Sequence, residues 1–477
     1  MKLKKIESTD YKANLIIIAD KQNTFRNLGL AEDQITYLKE KIEQGKEQIF
    51  LNKFDKKIFV QIIDNSTEDK NKLKEKARKG AKTICSMVND EKIENIQITS
   101  VGTDKDIVLA FVEGLALSNY QFLKYFTKDL DKKKNTLTSL EIANEAISDE
   151  ELNKLQAVID SVYIVRDLVN EPYHSLNSET FPERIKELAS EAGFSAEILG
   201  RKQIEALRMG GLLAVNRGSK YDPAFAILSW KPQDAKNEKP VILVGKGVVF
   251  DSGGLNLKPT GYIEEMKSDM AGAAAALGTI YAVAKQKLPL YVMALIPITD
   301  NAISDRSYAP GEVITMFDGT TVEIKNTDAE GRLILADALS YAKKYEPQLV
   351  VDLATLTGAA MRAVGPHASA MLSTANRDTT DKLLQSGFET YERLVEFPLW
   401  EEYGEMLKSK IADMKNIGGA NAGLITAAKF LEHFTDYPWI HLDIAPNAYM
   451  EDNNDYKGTG ATAMGVRLLT DFLKKLS

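Results

Sequence analysis

Residues Val241–Leu257 read VILVGKGVVFDSGGLNL. The β-branched run Val241–Val244 breaks at Gly245-Lys246-Gly247, resumes through Val248–Phe250 and stops at Asp251-Ser252-Gly253-Gly254. A short apolar run without alternation is the pattern of a strand buried on both faces, as in a largely parallel sheet covered by helices. Its polar interruptions leave Lys246 and Asp251 at the strand's end, and the glycines let backbone approach a ligand or ion closely. Lys258 follows. Glu264-Glu265-Met266-Lys267-Ser268-Asp269 then opens an Ala-rich helical stretch, Met270–Lys285, which puts Asp269 near a helix N-terminus.

Strands and helices alternate on either side of this stretch. Upstream, Asn14–Asp20 (NLIIIAD), Lys57–Asp64 (KIFVQIID), Asn95–Val101 and Leu137–Ala143 read as strands, Glu68–Asp90 and Lys105–Phe126 as helices, and Lys128–Asn135 as a solvated Lys/Asp loop. The alternation predicts a small N-terminal α/β domain over 1–147 with a mainly parallel sheet. Ser148–Asn170 is one long helical pattern opened by Ser-Asp-Glu-Glu, a capping sequence, and forms a linking helix over 148–170 that Glu171-Pro172 ends. Downstream, Phe181–Ala192, Gly423–Phe434 and Thr462–Leu476 join the helix from Met270, while Ala224–Trp230, Leu290–Ile298, Leu349–Leu353 and Trp439–Ile444 are strands. Residues 171–477 are thus expected to form an α/β/α domain with a mixed central sheet and helices on both faces.

A second stretch carries charge where the pattern predicts burial. Asn326–Leu333 reads NTDAEGRL, with Asp328, Glu330 and Arg332 on alternate positions ahead of the apolar, helix-prone Leu333–Leu339. Alternation in an extended segment would send all three side chains to one side. Crowded carboxylates repel and resist ionising together unless a cation joins them, and a divalent metal is the usual one. An alternating-charge solvated loop is the other reading of the octamer alone.

VGKGVVFDSGG, Lys258, MKSDMAGAAA and NTDAEGRL, in that order and spacing, resemble the leucine (cytosol) aminopeptidase family of two-metal exopeptidases. DLATLTGA (Asp352–Ala359), AGLITAAKFL (Ala422–Leu431) and WIHLDIA (Trp439–Ala445) resemble its later blocks, so the likeness runs from about Tyr163 to the C-terminus. It implies that 171–477 is a catalytic dinuclear-metal peptidase domain and leaves assembly or regulation to the N-terminal domain. By resemblance, one divalent ion is held by Lys246, Asp251, Asp269 and Glu330, and a second by Asp251, Asp328 and Glu330. Hard oxygen ligands suit Mn²⁺, Zn²⁺ or Mg²⁺, and paired ions can activate water and polarise a carbonyl. From the residues alone Lys246 would be a counter-cation to the carboxylates; the resemblance implies that it loses its proton and ligates. Lys258 is implied as the stabiliser of an oxyanion, and Arg332 as the residue that holds a bicarbonate general base. Met266, Asn326, Thr355, Leu356 and Gly358 match positions lining the substrate cleft, with Lys258. Ala445-Pro446-Asn447 departs from the family's glycine after HLDIA, which bears on side-chain preference near the pocket.

The implied reaction is removal of an N-terminal residue, an apolar one such as leucine, from peptides with a free N-terminus by a homohexamer. Rival readings are a two-metal phosphoester hydrolase and a DNA-binding or scaffold protein. The chain's 477 residues, 44% hydrophobic and 27% charged, are enough for two domains, and a net charge of −8 argues against a nucleic-acid partner. The single cysteine, Cys85, excludes an internal disulfide framework and fits a reducing compartment. Leu15–Ala19 is too short for a signal peptide and no run reaches membrane-spanning length, so the cytoplasm is expected, with no membrane partner. The histidines His174, His367, His433 and His441 show no His-x-x-x-His pair, which excludes a zincin site. Ser252 lacks the glycine and histidine context of a nucleophile, with Phe250 two residues before it.

Overall fold

The structure, a computed structural model, describes residues 1–64, 69–451 and 455–477. The chain divides into two compact units: Met1–Tyr163 with Asp452–Thr459, and Ile164–Glu451 with Gly460–Ser477. The division falls inside the helix Asp149–Asn170. That helix opens as its sequence predicts. The Glu151 N–H donates to Ser148 Oγ, and the Ser148 N–H donates back to Glu151 Oε2, satisfying two otherwise unpaired donors.

The first unit is built on a six-stranded sheet. Leu15–Asp20 lies at its centre, parallel to Lys57–Ile63 on one side and Asn95–Val101 on the other. Its alternate residues serve two cores. Ile16 and Ile18 pack with the helices Lys70–Asp90 and Lys105–Ser118, whereas Leu15 and Ile17 pack with Ile35 and Leu38 of the helix Glu32–Glu43. Burial on both faces is why the strand reads as unbroken apolar sequence. Lys2–Lys5 and Gln48–Asn52 form the edges, the latter antiparallel to its neighbour.

Two expectations in this unit are corrected. The helix expected over Lys105–Phe126 ends at Ser118. Asn119 then leaves the helix to donate to the Leu137 carbonyl and to accept from Asn89, tertiary bonds that local sequence does not reveal. The loop expected over Lys128–Asn135 contains a helical turn, Leu130–Lys133. Glu68, the expected first residue of the helix over Glu68–Asp90, lies outside the described residues; the helix begins at Lys70. Cys85 is buried.

The second unit holds a nine-stranded mixed sheet. Val241–Gly245 sits between Leu349–Ala354 and Val292–Asn301, parallel to both. Trp439–Asp443 runs parallel to Leu349–Ala354, and Gly247–Asp251 pairs parallel with Val292–Asn301. Ala224–Trp230 and Ser195–Leu199 extend the sheet in antiparallel fashion. Ile242, Val244, Leu295 and Val350 share one core with Leu333, Leu335 and Leu339 of the helix Glu330–Ala342. The Ala-rich helix Ala271–Lys285 packs against the same central strands, whose remaining residues Val241, Leu243 and Val351 are equally buried. Among the described residues, no helix is long and apolar enough to cross a membrane.

Candidate active site

The central strands of the second unit deliver polar groups to one edge of the sheet. Lys246 follows Val241–Gly245, Asp251 closes Gly247–Asp251 and Asn301 closes Val292–Asn301. Thr355 follows Leu349–Ala354, and Asp443 closes Trp439–Asp443. Because these strands are parallel to their neighbours, their C-terminal ends share the edge where open α/β sheets bind ligands.

Each carboxylate is held by local structure. Asp251 Oδ1 accepts from the Gly253 N–H at 2.8 Å and from Asn301 Nδ2 at 2.8 Å. Gly253 has a φ of +87°, and a Cβ there would lie 2.5 Å from the Asn256 carbonyl oxygen, so the turn requires glycine. Asp269 is the fourth residue of a short 3-10 turn, Met266–Met270, that precedes the Ala-rich helix, and its Oδ1 accepts from Thr355 Oγ1 at 2.8 Å. Asp328 lies in a turn where its N–H donates to Asn326 Oδ1 at 2.8 Å. Glu330 is the first residue of the helix Glu330–Ala342.

The octamer Asn326–Leu333 is therefore not extended, contrary to the alternation argument. The apolar run that follows is buried all round and starts a helix at Glu330, so Arg332 points from a helical first turn rather than beside Asp328. Arg332 is buried, and its Nη1 donates to the Asn416 carbonyl at 2.7 Å. Gly331 permits close passage of Lys246: a Cβ at 331 would stand 2.5 Å from Lys246 Cε.

Two lysines knit the carboxylates together. Lys246 Nζ lies 2.8 Å from Asp269 Oδ1 and 2.8 Å from Glu330 Oε1, and donates to the Thr355 carbonyl at 3.0 Å. Lys258 Nζ lies 2.8 Å from Asp251 Oδ2 and 2.6 Å from Asp328 Oδ1. One oxygen from each of Asp251, Asp328 and Glu330 falls within 4.8 Å of the others. Burial, reinforced by Glu330, raises Asp251. Burial also raises Asp269 well above the usual carboxylate range, despite Lys246. Burial followed by Asp251 and Glu330 pushes Asp328 up to about 7. Burial opposes charge on Lys246 and Lys258, but the surrounding carboxylates outweigh it and hold both above the ordinary lysine value. Burial would raise Glu330 too; Lys246 and Lys258 outweigh it and keep it low. Burial lowers Arg332 to about 10.

These residues fit a divalent-metal centre. Asp269 Oδ2 and Glu330 Oε2 are buried with no hydrogen-bond partner, a costly state for oxygens of an ionised group. Four carboxylates face only two ammonium groups, which leaves negative charge uncompensated. Oxygen-rich donors of this kind select hard or borderline divalent cations.

The cluster opens into a cavity of about 540 Å³. Of the residues expected to bind substrate, Lys258, Met266, Thr355, Leu356 and Gly358 lie on its wall. Asn326 does not. It shapes the Asp328 turn, and its own carbonyl accepts from Asn416 Nδ2 at 2.6 Å. Arg332 is likewise off the wall. Ser252 Oγ–H donates to the Asn301 carbonyl at 2.7 Å, a turn contact, and among the described residues no histidine lines the cavity.

Several residues escaped the sequence reading. Asn301 orients Asp251, and Asp443 fixes the Thr355–Gly358 loop by accepting from the Leu356 N–H and from Thr357 Oγ1. Tyr262, Glu265, Met361, Arg362, Ala448 and Tyr449 also line the wall. The available signal for Asn301 and Asp443 was a lone polar residue closing an apolar strand.

A mixed α/β sheet that gathers carboxylates and lysines at its C-terminal edge, over a cavity of this size, defines a metal-dependent hydrolase. The catalytic domain of the cytosol aminopeptidase family matches residues 163–470, and the chain belongs to that family of metallo-exopeptidases. It is 43% identical over 423 residues to a probable cytosol aminopeptidase of Chlorobium limicola, covering 84% of this chain and 83% of that one. A probable cytosol aminopeptidase of Syntrophotalea carbinolica is 45% identical over 378 residues, 77% and 75% of the two chains. Among solved structures, a mutant of tomato leucine aminopeptidase superposes with a TM-score of 0.87 at 28% identity, covering 100% of this chain and 96% of that one. The bottromycin maturation enzyme BotP in complex with Mn gives 0.86 at 28% identity, covering 97% and 99%.

Proposed function

We propose that this chain removes N-terminal residues, apolar ones such as leucine among them, from peptides with a free α-amine. The observation that carries the reading is the lysine-bridged carboxylate cluster, with buried unpartnered oxygens, at the head of a substrate-sized cavity. Lys246, Asp251, Asp269 and Glu330 would hold one divalent ion, and Asp251, Asp328 and Glu330 a second; Mn²⁺ and Zn²⁺ are the proposed metals, Mg²⁺ a third option. When bound, such a pair supplies Lewis-acid polarisation of the scissile carbonyl and a more acidic water.

The chain's own residues do the rest. Thr355 and Lys246 fix one oxygen of Asp269 and so orient the other. Lys258, already within reach of the cluster, turns its ammonium to the oxyanion that develops as the peptide carbonyl is attacked. Arg332, tied at Nη1 to the Asn416 carbonyl and unpartnered at Nε, would hold a bicarbonate that accepts the water's proton. Met266, Leu356 and Gly358 offer the first side chain an apolar wall. The proposed setting is the cytoplasm. The N-terminal domain over 1–147, joined by the linking helix over 148–170, is assigned to assembly or regulation of the catalytic domain over 171–477.

Recognition of the α-amine predicts that Leu-Gly-Gly is hydrolysed and its N-acetylated form is not, because acetylation removes the amine's lone pair and adds bulk. Release of leucine by chromatography measures this, and equal rates on the two peptides would refute the exopeptidase reading. The proposed assembly is a homohexamer, closed symmetry being the usual state of soluble oligomers. Light scattering should then report six times the 52.9 kDa chain, and a stable active monomer would reject it.

A further inference from the structure

The Asp251 and Asp328 turns are fastened together behind the carboxylate cluster by Thr327, a fully buried residue off the cavity wall. Its amide, hydroxyl and carbonyl are all engaged. Its Oγ1–H donates to the Gly253 carbonyl at 2.7 Å, and Oγ1 accepts from the Asn256 N–H at 2.8 Å. Its own N–H donates to Asn256 Oδ1 at 2.8 Å. Its carbonyl accepts from Asn301 Nδ2 at 3.0 Å and from the hydroxyl of buried Tyr308 at 2.7 Å. Two bridges therefore join Thr327 to a single atom, Asp251 Oδ1. Gly253 forms one, donating its N–H to that oxygen while its carbonyl takes the Thr327 hydroxyl. The Asn301 amide forms the other, donating both to Asp251 Oδ1 and to the Thr327 carbonyl.

These bonds occupy the rear oxygen of Asp251 and leave Oδ2 facing forward. Asp251 Oδ2 and Asp328 Oδ1 converge on Lys258 Nζ, at 2.8 and 2.6 Å. The gap between the two acids is thus spanned in front by Lys258, which the ions would displace, and behind by Thr327, which directly precedes Asp328 and is pinned at every polar group. Its β-branched side chain adds stiffness of its own. Lys246 and Asp269 take their bonds from elsewhere, at Glu330 and Thr355. Metal affinity depends on residues that orient the ligands as well as on the ligands themselves. Resting on the ligand assignment that accompanies the aminopeptidase reading, we propose that Thr327 is a positioning residue that sets the spacing of Asp251 and Asp328, and with it the affinity of the divalent ion those two acids share. The hydroxyl is the decisive group. Valine has nearly the same shape but would leave the Gly253 carbonyl and the Asn256 N–H without that partner, and would cut one of the two bridges to Asp251.

The test titrates Mn²⁺ into the metal-free enzyme by calorimetry and examines the loaded centre by electron paramagnetic resonance. Thr327→Val should weaken the ion held by Asp251, Asp328 and Glu330 by about 10–100-fold, the usual cost of removing a group that orients a metal ligand, and should spare the ion held with Lys246 and Asp269. With Mn²⁺ supplied for both positions, the coupled signal of a paired centre in the native enzyme should give way to that of a lone ion. Thr327→Ser keeps the hydroxyl and should restore the paired signal, which separates the hydroxyl's bonds from mere filling of space. Tyr308→Phe deletes one donor to the Thr327 carbonyl and keeps the ring, so it serves where valine prevents folding; it should weaken the same ion and spare the other. Native affinity for both ions in these variants, or an equal loss of both ions, overturns the inference. Leucyl 4-nitroanilide keeps the two ideas apart. If the native enzyme cleaves it while Thr327→Val holds both ions at native affinity, the inference fails and the aminopeptidase reading stands. If the native enzyme does not cleave it while Thr327→Val still loses the one ion, the reading fails and the inference stands.

Discussion

Replacing Lys258 with alanine is expected to lower kcat for a leucyl amide by about 10²–10³-fold, the usual cost of removing one electrostatic donor from a developing oxyanion. The structure sets Lys258 apart from Lys246 in a way that bears on this. Lys246 is wholly enclosed between Asp269, Glu330 and the Thr355 carbonyl, whereas Lys258 retains some exposure and lines the cavity. Its two partners, Asp251 and Asp328, are acids assigned here to the metals, so the cations would displace the ammonium and free it for substrate. Removing it also deletes a competing positive charge. Metal content after dialysis should therefore be undiminished in Lys258→Ala while kcat collapses. Unchanged kcat at full metal occupancy would remove Lys258 from the mechanism, and lost metal would recast it as a scaffold for Asp251 and Asp328.

The parts of the fold that sequence made legible are those whose burial is two-sided. Leu15–Ala19 and Val241–Val244 are unbroken apolar runs because helices cover both faces of each sheet, and no other arrangement hides them so completely. Edge strands lack that signature. Lys2–Lys5 carries a single apolar residue and Gln48–Asn52 is half polar, so pairing partners distant in the chain, not local pattern, make them strands. The small sheet of Val313–Thr315, Thr321–Glu323 and Met414–Lys415 is likewise created by long-range register. Spacing misled at Asp328, Glu330 and Arg332, where period two suggested an extended segment. The helix wins because Leu333–Ala342 is buried on every side, and propagation from that run captures Glu330 and Arg332.

The site was legible as a set of residues but not as a set of contacts. Asp251, Asp269, Asp328 and Glu330 stand out as acids in apolar or glycine-rich surroundings, a conflict with burial that signals function. Nothing in their spacing says that Lys246 bridges Asp269 to Glu330 while Lys258 bridges Asp251 to Asp328. That pairing depends on strand order, which brings the ends of Val241–Gly245 and Leu349–Ala354 together across the sheet. Asn326 lies off the cavity wall for a similar reason. It sits within the motif, yet its side chain turns back to the Asp328 N–H, and its carbonyl is tied to Asn416, roughly ninety residues away and beyond the reach of local reasoning.

The acids of the cluster are expected to be unequal, and metal content can expose the difference. Glu330 is buried at the helix N-terminus, with Oε1 on Lys246 and Oε2 unpartnered, so it has an oxygen for each of two ions. Asp328 is half-buried at the outer side, against Lys258 alone. Glu330→Gln replaces one anionic oxygen by an amide and removes charge from the shared position, so both ions should bind more weakly. Asp328→Asn should weaken only the ion remote from Lys246, since Asp251, Asp269 and Glu330 still serve the other. After dialysis, Asp328→Asn should retain about one ion per chain and Glu330→Gln fewer, with kcat/KM reduced by about 10²-fold or more in both, since even outer-shell partners of a metal site typically cost 10–100-fold. Both replacements are isosteric, and circular dichroism checks that the fold survives. Two tightly held ions in Asp328→Asn, or a full complement in Glu330→Gln, would overturn the ligand assignment while leaving the family membership intact, because that rests on the whole of residues 163–470.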